Sequence, residues 1–154
     1  MTRKNLILLA AGGSALLLLG AFAFQHIGGL APCKMCLWQR WPHAAAVLIG
    51  VLAIASRGPA LPALGALAAL ATAAIGGYHT GVERGWWEGP ASCTGAGNGL
   101  GGLSGTDLLS MGSPAGVVMC DEVAWQMLGL SMASWNMLAS LGLVLLWILA
   151  ARRN

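Results

Sequence analysis

Apolar residues in this chain fall into four long runs, and the polar residues gather between them. The first run, 5–24, is free of charge, and no charged residue occurs between Lys4 and Lys34. The second, 41–56, is interrupted only by Pro42 and His43. The third, 60–79, is rich in Ala and Gly, which suits close helix packing in a membrane. The fourth, 132–151, contains Asn136, expected to hydrogen-bond to another helix. A run of roughly 20 apolar residues crosses a ~30 Å hydrocarbon core. Periodicity is weak in all four, as for helices apolar all round. The pattern predicts an all-α membrane protein, a four-transmembrane-helix bundle. It is read as one integral domain over 1–154, with outer loops at about 25–40 and a long one at about 80–131. Pro42 leaves the start of the second helix open. It begins near Arg40 to Pro42, or it runs back through Cys36 with a kink.

Composition agrees with a membrane location. The chain is 57% hydrophobic and 8% charged, against about 25% charged in soluble domains. Net charge is only +3, and no basic block points to nucleic acid. Arg3, Lys4, Arg57, Arg152 and Arg153 flank one side of the runs; Lys34, Arg40 and Arg84 flank the other. The excess of basic residues places both termini and the short turn at 57–59 in the cytoplasm. The start of the chain, Arg3-Lys4 followed by an apolar run and Ala21-Phe22-Ala23, also has the outline of a signal peptide. Its run is longer than the ~7–15 residues of a signal core, which favours an uncleaved span.

All four cysteines then lie outside, where disulfides persist in a bacterial periplasm. Cys33-Lys34-Met35-Cys36 is a CxxC, a redox or metal spacing, placed where a helix meets water. Cys36 precedes or opens a helix, near Lys34 and Arg40, and its thiol is expected to be unusually acidic. Cys93 and Cys120 lie in the long loop. A disulfide closing that loop would stabilise by about 3–4 kcal/mol in the chain-entropy model. The glycine-rich stretch 95–105 instead favours a mobile pair with access to a soluble partner and to the CxxC, as thiol exchange requires. Thr106 to Leu109 could start a short helix. Leu128 to Met132 reads as an amphipathic segment on the membrane. Trp86, Trp87, Trp125 and Trp135 suit the aromatic belt.

Arg40 at a membrane border either snorkels to headgroups or aims its donor fork at a lipid-soluble acceptor. His79 ends the third run and His43 opens the second; each can be satisfied by water or backbone. His26 sits at the interface. Metal binding fits poorly, because zinc favours two short cysteine pairs and residue 37 is Leu where haem attachment needs His.

Phe24-Gln25-His26, the segment Pro32 to Arg40 with its CxxCxxQR pattern, the pair Cys93 and Cys120, and Leu128-Gly129-Leu130 before Trp135 together resemble the disulfide bond formation protein B (DsbB) family. With the four runs, the resemblance covers nearly the whole chain. It implies a bacterial inner-membrane enzyme, a protein-disulfide:quinone oxidoreductase. Such an enzyme reoxidises a periplasmic DsbA-like thioredoxin-fold oxidase and passes two electrons to quinone, ubiquinone before menaquinone. By position, Cys93 would form the mixed disulfide with the partner. Cys120 would be its mate and hand electrons to Cys33, and Cys36 would be the thiolate facing quinone. Arg40 matches the arginine that supports quinone binding, and His79 a histidine near the same site. Two other readings stand beside it. One is a vitamin K epoxide reductase-like oxidoreductase, in which the loop cysteines precede the CxxC. The other is a non-enzymatic membrane scaffold with structural disulfides.

Overall fold

The computed structural model describes residues 1–90, 93 and 119–153. Four long helices form: α1 (Arg3–His26), α2 (Lys34–Ala55), α3 (Ala60–Glu83) and α4 (Met132–Arg152). Two short strands, β1 (Gln126–Met127) and β2 (Leu130–Ser131), pair antiparallel just before α4. Three of the helices, α1, α3 and α4, are long and apolar enough to cross a membrane by length and composition. The expected short helix at 106–109 and the stretch 95–105 lie outside the described residues.

Each helix packs on its neighbour in sequence, and α1 closes the square against α4. The half of the bundle near the chain termini is packed with apolar side chains. Trp147 and Ile7 are fully buried there with Leu6, Ala53, Ala69 and Leu143. The indole of Trp147 lies over Gly65, where an added Cβ would come 2.6 Å from the ring. The backbones of α3 and α4 therefore approach as only a residue without a side chain allows. Large apolar side chains such as Leu16, Leu19, Leu48, Val51 and Leu145 point outward instead, a distribution suited to lipid.

Helix ends follow local chemistry. The Thr2 and Ser131 hydroxyls cap α1 and α4 by accepting from Asn5 N and Ser134 N. The Arg3 guanidinium closes the end of α2, donating to Ala53 O, Ser56 O and Gly58 O at 3.3, 2.9 and 2.8 Å. A cation there also meets the negative end of the helix dipole.

Three boundaries differ from the sequence reading. The second helix starts at Lys34, which is the start through Cys36 of the two left open and not the one near 41, so the outer loop at 25–40 shrinks to a few residues around Gly29. Cys33 caps this helix with its sulfur, and Pro42 sits inside it. The third helix continues to Glu83, one turn past His79. Around Leu128 the chain turns as a hairpin, not as a flat amphipathic segment. Leu128 (φ 54°) and Gly129 (φ 76°) both take left-handed angles, the signature of a two-residue type I′ turn. That turn leaves Leu128 86% exposed and leads Ser131 into the cap of α4.

Candidate functional site

The CxxC occupies the first turn of α2. Cys33 is the N-cap, and its Sγ accepts from Cys36 N at 3.1 Å. The two sulfurs are 2.8 Å apart and unbonded, with the Cys33 thiol donating to Cys36. The helical spacing puts Cys36 and Arg40 on one face, four residues apart. Cys33 is buried, whereas Cys36 is partly open and borders a cavity. The hydrogen bond to Cys36, and then burial, push the Cys33 thiol far above the ordinary thiol range. Cys33 therefore stays protonated across neutral pH, and alkylation of the reduced protein at pH 7 is expected to label Cys36 well before Cys33. Equal labelling, measured by mass spectrometry of the alkylated peptides, would contradict the acidic Cys36 thiol expected from sequence.

The long loop returns to this point. Cys93 and Cys120 are joined in a disulfide, with Cα atoms 5.3 Å apart. Cys120 N also bonds to Cys93 O at 2.8 Å. Both are buried against Cys33, Met35 and Val82. Cys33 Sγ, a His79 ring nitrogen and Cys120 Sγ lie within 4.8 Å of one another. The sulfur of Cys120 is committed to the disulfide, which leaves this trio two free donor atoms for a metal.

A buried polar layer holds His79 in one orientation. Gln39 Oε1 accepts from Asn136 Nδ2 at 2.7 Å, so the Gln39 amide nitrogen is its other end. That nitrogen lies 3.0 Å from His79 Nδ1 and donates to it. His79 Nε2 then carries the ring proton. It points at Cys33 Sγ, 3.5 Å away, with Glu83 Oε1 at 3.8 Å on the other side. Thr72 accepts from Asn136 and donates to Gln39 O, at 3.1 Å each. Asn136 Oδ1 accepts from His43 Nε2 at 2.9 Å. Asn136 is thus the interhelical hydrogen bonder expected from sequence, and it ties α4 to α2 and α3.

Beside the cysteines a cavity of about 320 Å³ opens between α1, α2 and α4. Its wall is mostly apolar, with Leu17, Ala21, Phe24, Pro32, Trp125 and Ala133 contributing. Trp125 packs against Phe24 with ring centroids 5.3 Å apart, so it builds the site as well as suiting an interface. Arg40 Nη1 donates to Gln25 Oε1 at 2.6 Å, and Nη2 to Ala21 O at 3.3 Å. Its guanidinium lies 4.9 Å from the Phe22 ring centroid. Three residues lining the cavity each carry one buried polar atom with no hydrogen-bond partner among the described residues: Arg40 Nε, His43 Nδ1 and Glu83 Oε2. Buried polar groups are normally paired. An apolar pocket bordered by a few unpaired polar atoms fits an apolar ligand that carries a few polar groups.

The structure brings Cys33, Cys36, Cys93, Cys120 and His79 into one cluster and places Arg40 on the adjoining cavity. His26 lies apart, stacked on Phe22. Sequence reasoning gave Glu83 and Gln39 no role. The signal for both was present: Glu83 follows His79 by one helical turn, and Gln39 is an uncharged polar residue at a helix position otherwise apolar.

Comparison with known proteins bears on this arrangement. The family model "Disulfide bond formation protein DsbB" matches residues 3–150. Relatives named Disulfide bond formation protein B include one from Azoarcus sp. (strain BH72), 31% identical over 98% of this chain and 95% of its own length. Another, from Verminephrobacter eiseniae (strain EF01-2), is 35% identical over 96% of this chain and 86% of its own. A third, from Methylococcus capsulatus (strain ATCC 33009 / NCIMB 11132 / Bath), is 37% identical over 84% and 82%. No solved structure matches. With a family match from end to end, a paired loop disulfide and a free CxxC at one helix cap, the chain belongs to the disulfide bond formation protein DsbB family, a family of membrane proteins.

Proposed function

We propose that this chain reoxidises a periplasmic DsbA-like dithiol oxidase by thiol–disulfide exchange and passes the two electrons to a membrane quinone, ubiquinone or menaquinone. The observation that carries the reading is the meeting of Cys33, His79 and Cys120 within 4.8 Å, next to a cavity that Cys36 and Arg40 line. In this reading all four helices span the inner membrane as one integral unit over 1–154. Both termini are cytoplasmic and the cysteines periplasmic, in line with the distribution of Arg and Lys.

Exchange proceeds by attack of a thiolate on a disulfide sulfur. A partner thiolate attacks Cys93 and displaces Cys120 as a thiolate. Cys120 then attacks Cys33 of an oxidised CxxC, and Cys36 leaves as the thiolate. The partner's second thiol displaces Cys93 from the adduct, and Cys93 attacks Cys120, which re-forms the loop disulfide and releases Cys33. The His79 Nε2–H, aimed at Cys33, stabilises negative charge on the sulfurs during this transfer. Stabilisation at the helix N-terminus favours the charge on the sulfur of Cys36. A quinone bound in the cavity supplies a strong two-electron oxidant, needed because a DsbA-type oxidase itself sits near about −120 mV. Arg40 Nε would donate to one of its oxygens, and the apolar wall would keep water from the reacting sulfurs.

The test has two parts. Purified protein in detergent, given a reduced DsbA-like oxidase and ubiquinone-1, is expected to reduce the quinone catalytically. The Cys120→Ser variant, mixed with the oxidised form of the partner, is expected to attack its disulfide through Cys93 and hold it in a covalent adduct, visible on a non-reducing gel and lost with dithiothreitol. If several quinones and dithiol donors give no turnover and no adduct, the scaffold reading replaces this one.

A further inference from the structure

Glu83 sits where a carboxylate is costly. Its side chain is 7% exposed, on the last turn of α3, and it lines the apolar cavity with Cys36 and Arg40. Its two oxygens differ. Oε1 lies 3.8 Å from His79 Nε2 and the Ser131 hydroxyl donates to the carboxylate, while Oε2 is buried without a hydrogen-bond partner among the described residues. A carboxylate kept in such a place without full pairing is explained by chemistry more readily than by stability.

The reaction has a proton to place. Oxidation of the reduced CxxC, with Cys33 as thiol and Cys36 as thiolate, forms the Cys33–Cys36 bond. It releases one proton and two electrons. The electrons leave to quinone, which needs two protons to become quinol. His79 is poorly suited to carry the thiol proton, because Nδ1 is held by Gln39 and Nε2 already bears a hydrogen. Other groups face the same space. On α2 and its cap they are Cys33, Cys36, Arg40 and His43. Glu122 stands on the segment after Cys120. On α3 itself they are His79 and Arg84, and Ser131 of β2 presents a hydroxyl. Of the cavity-lining groups that take up a proton from a thiol, Glu83 is a buried carboxyl that combines an orphaned oxygen with a contact to the cysteine cluster through His79.

Resting on the function proposed above, we infer that Glu83 is the proton-exchanging residue of the redox centre. Lying one helical turn from His79, with Oε1 3.8 Å from Nε2, its carboxylate takes the proton released as Cys33 joins Cys36, and the resulting acid returns it to the reduced quinone. The second proton of the quinol comes from water at the periplasmic face.

The test compares the unaltered chain with Glu83→Gln and Glu83→Asp. One readout needs no quinone: the pH profile of Cys36 alkylation by iodoacetamide in the reduced protein. An ionised Glu83 disfavours a neighbouring thiolate, so Glu83→Gln is expected to move the midpoint about one pH unit lower. Glu83→Asp keeps the charge and is expected to restore the profile. The second readout is ubiquinone-1 reduction, expected to fall about a hundredfold in Glu83→Gln, at the lower end of general acid–base effects. Glu83→Asp recovers a good part of that loss. Unchanged alkylation and unchanged turnover in Glu83→Gln overturn the inference and leave the quinone-linked function standing. Equal loss of turnover in both variants with unshifted alkylation also overturns it and makes Glu83 a structural residue. Absence of turnover in the unaltered chain overturns the function itself and this inference with it.

Discussion

Replacing Cys36 by Ser is expected to drop quinone reduction to the uncatalysed rate, a loss of about 10⁴-fold or more on the scale of removed nucleophiles. The reason lies in how the two cysteines of the CxxC are placed. Cys33 is buried and turned toward Cys120, and Cys36 is partly open at the cavity. In the proposed function one sulfur would receive the incoming electrons and the other would pass them on. A chain lacking Cys36 still allows the Cys33 thiolate to attack Cys120 of the loop disulfide and release Cys93, but the electrons have no way on to a quinone. A Cys33–Cys120 cross-link is therefore expected to accumulate in Cys36→Ser under oxidation, detectable by peptide mapping. Full turnover in this variant, or a cross-link that forms only between Cys93 and Cys120, would refute the division of roles.

Much of this was legible in the chain, for physical reasons that differ by residue. The four apolar runs announce four helices because a lipid-facing helix needs apolar residues on every side, and length alone then sets the count. The CxxC and the loop pair are legible because their residue types have few uses together. The boundaries were harder. Pro42 argues locally against a helix running through it, yet α2 continues from Lys34 to Ala55. The cap formed by the Cys33 sulfur and the bonds of Gln39 to α3 and α4 belong to tertiary structure, which no local rule about proline contains. Leu128 was misjudged in a similar way, since a leucine at positive φ is rare and only the pairing of Gln126 with Ser131 enforces it.

The polar layer was the least readable part. Asn136 stands out in an apolar run, but its partners Gln39, Thr72 and His43 lie on two other helices. Spacing along the chain says nothing of which helix faces turn inward. The layer separates the half packed around Trp147 from the half that carries the sulfurs. It also settles which nitrogen of His79 bears the proton, a property that follows from a chain of amides and from no single residue.

Arg40→Lys is expected to raise the KM for ubiquinone-1 by about 10- to 150-fold, corresponding to ~1.5–3 kcal/mol for a lost charged hydrogen bond. Turnover at saturating quinone is expected to change far less. Arg40 has two jobs in the structure. Its Nη atoms brace α1 through Gln25 and Ala21, while its Nε at the cavity has no partner among the described residues. Lysine keeps the charge but lacks the planar fork, so it cannot hold α1 and present a directed donor to the cavity together. The two jobs separate by measurement. If Arg40 only braces the helices, Arg40→Lys and Gln25→Leu lower the thermal stability in detergent alike, and neither changes the KM. If Arg40 also receives the quinone, the KM rises much more in Arg40→Lys than in Gln25→Leu. Formation of the Cys33–Cys120 cross-link in a Cys36→Ser background is then unaffected by Arg40→Lys, because the hydrogen bonds of Arg40 go to Gln25 and Ala21 and not to either sulfur. A fall in cross-linking as large as the rise in KM would instead mean that Arg40 acts through the packing of α1 and α2.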